Sequence, residues 1–117
     1  MKDNNLILEK SKLFALRTIK LYKYLTTQQK EFILSKQILR SGTSIGANVR
    51  EAVRGQSTAD FYSKICIALK EAEETLYWLE LLHESDYIKP KHFASIYGDC
   101  KEITKILMSI SKSREDS

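Results

Sequence analysis

Four residues have side chains that could bind a metal or act as nucleophiles: Glu80, His83, Cys66 and Cys100. Glu80 and His83 form one Glu-x-x-His pair, whose members share a helix face, and a di-iron helical bundle needs two such pairs. The sequence has no second pair, because the other histidine, His92, has no acidic residue three positions before it. We therefore predict no metal site and no cofactor.

The cysteines and the clustered carboxylates give little support for catalysis. Cys66 and Cys100 fall on apolar faces of their segments, where we expect two reduced thiols buried in the core. A nucleophilic cysteine would also need a base and a group that orients the base. Glu71, Glu73 and Glu74 should point in three directions from a helix, so they are not expected to act as a carboxylate pair. The sequence thus predicts no catalytic residues and a protein that is not an enzyme.

Apolar residues recur at helical spacing in four segments of similar length, separated by short polar breaks. Helices of similar length with short connections pack as antiparallel neighbours. The sequence therefore predicts a single all-α domain, an antiparallel up-down-up-down four-helix bundle, over the 117 residues. The predicted helices cover roughly residues 6–25, 29–54, 58–84 and 90–111.

Residues at the predicted breaks suggest how the helices begin and end. Thr26 or Thr27 should cap the second helix by accepting a backbone N–H. Gly55 should end that helix in the left-handed conformation that glycine adopts easily. Ser57, with an acidic residue three positions later, resembles a capping box at the start of the third helix. Pro90 suits the first turn of the fourth.

The second helix contains a run of small residues, SGTSIGAN at residues 41–48. Gly42 and Gly46 lie four residues apart, and a glycine inside a helix costs about 1 kcal/mol relative to alanine. Their spacing would let another helix or backbone approach closely, so we interpret them as sites of close helix packing or of a local bend. A phosphate-binding loop is rejected, because the Gly-Lys-Ser/Thr ending and the preceding strand are both missing.

Charge is distributed unevenly along the chain, whose net charge is +4. Residues 1–56 carry 11 Lys and Arg against 4 Asp and Glu, whereas residues 57–88 carry 2 against 7. Two faces of opposite sign are expected, suited to binding polyanions or to docking between copies. Four residues of the second helix form a candidate nucleic-acid-binding stripe, with a solvated face as the alternative and Glu51 inside the same arc: Lys36, Arg40, Arg50 and Arg54.

The third helix has more apolar surface than one bundle position needs. Beyond its core stripe, a second side carries Ile67, Trp78, Leu81 and Leu82, and such a surplus usually marks an interface. We predict self-association through these residues, with a wide core as the alternative.

No apolar run approaches the roughly 20 residues of a membrane span, and the polar start does not resemble a signal peptide. A cytoplasmic protein without a membrane partner is expected.

Two parts of the chain resemble a known bacterial family: QILRSGTSIGANVREA at 37–52, and DFYSKI, ALKEAEET and WLELL at 60–65, 68–75 and 78–82. These stretches are similar to the four-helix-bundle proteins encoded in intervening sequences of 23S ribosomal RNA genes, labelled S23 ribosomal protein. The resemblance implies a ring-shaped homopentamer with no established catalytic residues. Relatives include the accessory variability protein of diversity-generating retroelements, which binds nucleic acid and a reverse transcriptase through a basic surface.

Two functions follow as hypotheses from the residues and the resemblance together. The first is an oligomeric accessory protein that associates with RNA or DNA. The second is a protein-binding scaffold, for a reverse transcriptase or another partner from its operon, that does not bind nucleic acid directly.

Overall fold

The chain forms four α-helices: α1 (Lys2–Thr27), α2 (Leu34–Val53), α3 (Thr58–Glu84) and α4 (Pro90–Ser113). The computed structural model describes residues 2–114, and the side chains of residues 4–114. Each helix packs against the next one in the chain and α4 closes on α1, while across the described residues the backbones of the diagonal pairs stay apart. The predicted all-α, up-down-up-down bundle is confirmed.

The core is built from one buried stripe on each helix, as the apolar spacing predicts. Buried hydroxyls also contribute, because Ser41 on α2 and Thr75 on α3 share a hydrogen bond of 2.8 Å across the helix contact. Such pairing lets polar groups enter the core without losing hydrogen bonds. The buried apolar residues are Ile7, Phe14, Leu21 and Leu25 of α1; Ile38, Ile45, Val49 and Ala52 of α2; Ile65, Ala68, Ala72, Leu79 and Leu82 of α3; and Ile96, Cys100, Ile103 and Leu107 of α4.

The predicted threonine cap of α2 is wrong. Thr26 and Thr27 lie in the last turn of α1, where their hydroxyls donate to the carbonyls of Tyr22 and Lys23 at 3.0 and 2.6 Å. Helical threonines often bond back to the preceding turn in this way. Helix α2 consequently begins at Leu34 rather than at residue 29.

A buried carboxylate caps α2 instead. The side chain of Glu31 accepts hydrogen bonds from the backbone N–H groups of Ile33, Leu34 and Ser35 at 3.1, 3.0 and 2.7 Å. Burial would raise the pKa of Glu31, but the three N–H donors outweigh burial and hold this pKa below its ordinary value. The sequence did not reveal this cap, because the usual capping residues are Ser, Thr, Asp and Asn at the residue before the helix.

The connection from α2 to α3 confirms one prediction and corrects another. Ser57 accepts a hydrogen bond of 3.1 Å from the N–H of Asp60 and so caps α3 as expected. Gly55 does not adopt a left-handed conformation, since no described glycine has a positive φ. Its N–H donates to the carbonyl of Ala52 at 3.1 Å, and this bond ends α2 without a left-handed residue.

The connection from α3 to α4 is a left-handed helix end formed without glycine. Asp86 has φ of 65°, and its N–H donates to the carbonyl of His83 at 3.1 Å. The next N–H, of Tyr87, donates to the carbonyl of Leu82 at 2.9 Å, which completes a Schellman motif. Pro90 then starts α4 in its first turn, as predicted.

Candidate nucleic-acid interface

Arg40, a member of the predicted basic stripe, is engaged within the bundle. Its guanidinium donates to the carboxylates of Glu71, at 3.2 Å, and Glu74 on α3. Glu74 also accepts from the indole N–H of Trp78 at 2.9 Å. Helical spacing predicts that Glu71 and Glu74 point in different directions from α3. Both carboxylates nevertheless bond to the long side chain of Arg40 on α2. Two carboxylates offset the charge of Arg40, so we leave it out of the interface.

The other three stripe residues remain exposed and lie beside a second set of cations on α1. Lys36, Arg50 and Arg54 project within about 40° of one another from α2. Lys12 of α1 lines the same groove between α1 and α2 as Arg50 and Arg54. None of these cations has an ion pair among the described side chains. We call the following exposed set the cationic face: Lys12, Lys20, Lys23, Lys36, Arg50 and Arg54.

Two cations of α1 outside the cationic face are paired within the bundle. Lys10 pairs with Glu102, and Arg17 pairs with Asp99 at 2.5 Å, both across the contact between α1 and α4. The hydrogen bond from Lys10 to Glu102 raises the pKa of Lys10. These pairs join α1 to α4. The basic residues of α1 whose side chains are described therefore either link α1 to α4 or belong to the cationic face.

A groove of about 1010 Å³ runs between α1 and α2 and ends at the start of α3. We call it the α1–α2 groove. Its lining is mainly apolar and small, with no aromatic residue, and the one ion pair at its edge joins Lys64 to Glu51 at 3.1 Å. Lys12 stands on the α1 side, and Arg50 and Arg54 stand on the α2 side. The apolar lining residues are Leu8, Ala15, Gly46, Ala47, Val53 and Gly55.

Two glycines set how closely α1 approaches α2 beneath this groove. A Cβ atom added to Gly42 would lie 2.6 Å from both Cγ2 and Oγ1 of Thr18. One added to Gly46 would lie 3.3 Å from the backbone oxygen of Ser11. The small-residue run of α2 therefore lies at a close helix contact, because only hydrogen fits at Gly42 and little more at Gly46.

The comparisons with known proteins agree with this architecture. The family model described as 23S rRNA-intervening sequence protein matches residues 3–109. The chain belongs to this family. The resemblance carried by residues 37–52 and 60–82 is therefore confirmed. No protein of curated function matches the chain.

A solved structure of another family member has the same fold. It is a crystal structure of a protein with unknown function from the S23 ribosomal protein family of Bacteroides thetaiotaomicron VPI-5482. The two chains are 57% identical, the match covers 94% of this chain and 98% of that one, and the TM-score is 0.92. At this identity the likeness extends beyond the fold to the sequence of the helices.

In this 23S rRNA-intervening sequence protein, the predicted α3 interface is partly wrong. Leu82 is 0% exposed, so no partner can reach it. Trp78 and Leu81 are half-buried, whereas Ile67 is 40% exposed and Tyr77 is 54% exposed. Because α3 packs against both α2 and α4, its buried arc is wider than a single stripe and includes Leu82. The apolar surface that remains on α3 is smaller than the sequence suggested.

The prediction of two buried thiols is also half wrong. Cys66 is exposed on α3, and only Cys100 is buried. Burial raises the pKa of Cys100 to about 12, so this thiol stays protonated at neutral pH and is a poor nucleophile.

A second apolar surface, which the sequence did not reveal, lies on α1 of this family member. Leu13 is 58% exposed and Leu16 is 50% exposed, and Leu6 lies on the same outer side. Leu13 sits between the ion pairs that link α1 to α4. In the sequence, only the spacing of these leucines indicated an apolar surface on the outer side of α1. The lysines between them favoured the opposite interpretation, a solvated side.

The residues with metal-binding side chains take part in packing. Glu80 accepts a hydrogen bond of 2.8 Å from the hydroxyl of Tyr97. The ring of His83 stacks on Phe93 with centroids 4.1 Å apart. Among the described side chains, no group of three His, Cys, Asp or Glu could hold a metal ion. No helix in the described part of the chain is long and apolar enough to cross a membrane.

Proposed function

We propose that this protein is a non-catalytic, self-associating module that binds RNA or DNA through the cationic face. The observation that supports this proposal is the concentration of unpaired cations on one side of two adjacent helices. Six cations on the outer side of α1 and α2 have no ion pair among the described side chains. Unpaired cations on one face repel one another and attract a polyanion.

Phosphate groups are the ligands that this face suits best. The side chains are long and exposed, and arginine donates well to phosphate oxygens. Arg50 and Arg54 lie one helical turn apart, about 6 Å along α2, with Lys12 opposite them. Binding through such contacts releases counterions from the nucleic acid, so affinity should fall steeply as salt rises.

The test compares two triple variants of equal charge change. Lys36→Ala with Arg50→Ala and Arg54→Ala should weaken binding of a labelled oligonucleotide at least about 10-fold and reduce the salt slope by about 2 to 3. The control removes three exposed lysines from the outer side of α4, Lys101, Lys105 and Lys112, and should lose much less affinity. Fluorescence anisotropy over a salt series measures both.

Equal losses in the two triple variants would contradict the proposal, because binding would then follow net charge rather than the cationic face. Salt-insensitive binding would contradict it as well. Absence of nucleic-acid binding, together with co-purification of a protein partner, would favour the alternative of a protein-binding scaffold. The apolar lining of the α1–α2 groove is the observation that supports that alternative.

Self-association is proposed through faces on opposite sides of the bundle. The outer side of α1 combines Leu13 and Leu16 with lysines, and the outer side of α3 combines Ile67 and Tyr77 with Glu73. Since α1 and α3 are diagonal neighbours, one copy could place α1 against α3 of the next. Because Lys20 and Lys23 flank Leu16, this contact would cover them and leave the rest of the cationic face to nucleic acid. Repetition of such a head-to-tail contact closes a ring if the rotation from copy to copy closes, and otherwise forms an open filament. A closed ring would accord with the homopentamer that the family resemblance implies.

Two variants should each abolish self-association and rescue one another partly. Leu13→Asp with Leu16→Asp removes the α1 face, and Ile67→Asp with Tyr77→Asp removes the α3 face. Each alone should sediment near 13.5 kDa, whereas wild type should sediment as a species several times larger. A mixture should form a heterodimer, because each variant keeps the face that the other lacks.

If the mixed variants stay monomeric although each still folds, the contact does not join α1 to α3. A wild-type protein that is monomeric at micromolar concentration would remove the self-association proposal entirely. Trp78→Glu is a poorer test, because the indole N–H of Trp78 also donates a hydrogen bond to Glu74 within the fold.

A further inference from the structure

The apolar lining of the α1–α2 groove is not explained by phosphate binding. Phosphates need donors and positive charge, and sites for unpaired bases usually present aromatic rings for stacking. The groove has no aromatic residue, and Leu8, Ala15, Ala47 and Val53 line it instead. An exposed apolar depression of this kind is suited to an apolar guest.

The length of the groove suits a short helix. Small residues on its α2 side, Gly46 and Ala47, allow the backbone of a guest to come close. Between Thr43 and Arg54 the groove follows α2 over about 17 Å, which is about three turns of an α-helix. Helix-in-groove recognition places a narrow apolar stripe of one helix into such a depression.

The charges around the groove indicate which residues should flank the apolar stripe of the guest helix. Lys12 on one side and Arg50 and Arg54 on the other have no ion pair among the described side chains. Of the two acidic lining residues, Glu51 is paired with Lys64 at 3.1 Å, and Asp60 lies at the end of the groove in the first turn of α3. A guest with carboxylates along both edges of its apolar stripe would complement both sides. Such complementarity also selects against basic amphipathic helices.

We propose that the α1–α2 groove binds an acidic amphipathic helix of a partner protein. The apolar stripe of the partner, built of alanine and leucine, covers Ala47 and Val53. Its acidic edges contact Lys12, Arg50 and Arg54. Helix α3 of another copy is also acidic, but α2 and α4 of its own bundle cover its flanks, so it offers only its outer side to a groove.

This proposal is independent of nucleic-acid binding, although an acidic helix and a polyanion would compete for Arg50 and Arg54. The two guests differ in their need for the apolar lining. A helix must contact Ala47, whereas a phosphate backbone contacts the cations at the edges. A change confined to the lining therefore separates them.

The experiment uses a labelled synthetic peptide of about 18 residues, with leucine and alanine on one helical face and glutamate along its edges. A peptide of the same composition in scrambled order is its control. Ala47→Gln places a neutral polar side chain in the groove at an exposed position. We expect the amphipathic peptide to bind wild type, and to bind Ala47→Gln at least about 10-fold more weakly. Oligonucleotide binding should change less than about 2-fold.

The control variant is Ala94→Gln, the same change at an exposed position of α4, and it should leave both affinities unaltered. Equal binding of the ordered and scrambled peptides, with no effect of Ala47→Gln, would show a polyanion site only and overturn the proposal. Loss of peptide and oligonucleotide together in Ala47→Gln would also overturn it. If neither peptide binds while the oligonucleotide does, helix docking is excluded and the proposed nucleic-acid function stands.

Discussion

Gly42→Ala should destabilise the bundle by about 2 kcal/mol, a typical cost of overpacking a well-packed core. The added methyl group would lie 2.6 Å from two side-chain atoms of Thr18 and 3.1 Å from its Cβ. Rotating Thr18 does not relieve the contact, because its Cβ stays in place and its fully buried hydroxyl is bonded to the carbonyl of Phe14 at 2.9 Å. α1 and α2 must therefore move apart. Thermal unfolding should show a midpoint lower by roughly 10 °C.

The matched control is Gly98→Ala on α4, where an added Cβ would meet nothing within 4 Å. Alanine is the better helix former, so this change should stabilise the protein by about 0.5 to 1 kcal/mol. Thr18→Ala should recover much of the stability lost in Gly42→Ala, and the double variant measures the coupling between the two sites. Equal stabilisation by both glycine replacements would show that α1 and α2 are not in close contact at Gly42.

Helical spacing predicted the bundle because it identifies the side of each helix that must be buried. Ile38, Ile45 and Val49 follow this spacing on one side of α2, and all three are fully buried. The spacing was less informative about how wide the buried arc is. Leu82 lies about 85° from the centre of the predicted stripe of α3, yet it is fully buried. The width of the buried arc of α3 depends on how the adjacent helices pack against it, and the spacing of apolar residues within α3 does not show this.

Long side chains were the second source of error in predicting the candidate site. Helical periodicity gives the direction in which a side chain leaves the backbone, but not the position of the charged group at its end. Arg40 projects from the same side of α2 as Arg54, yet its guanidinium reaches α3 and bonds to two glutamates. Lys36 and Arg54 find no such partner among the described residues. Whether a basic residue belongs to the candidate site thus depends on acidic residues of another helix, which only the fold brings within reach.

Removing the charge of Glu31 should be almost as damaging as filling the space at Gly42. Glu31→Gln keeps the shape of the side chain but loses the charge that binds the N–H groups of Ile33, Leu34 and Ser35. We expect a loss of about 2 kcal/mol at neutral pH, from weaker hydrogen bonds and a lost interaction with the helix dipole. Glu73→Gln, the same change at an exposed position of α3, should leave stability within about 0.5 kcal/mol. Urea unfolding of the three proteins measures the difference.

The stability that Glu31 contributes should also depend on pH in a predictable direction. The pKa of Glu31 in the folded protein lies below the 4.5 of an unperturbed glutamate. Folding is therefore favoured by the ionised form, and the contribution is fully present above about pH 4.5 and lost as pH falls through the lowered pKa. Wild type and Glu31→Gln should differ by a constant amount from pH 7 to about pH 5 and converge below that. A difference that instead grows as the solution is acidified would mean that the protonated carboxyl is the form that caps α2.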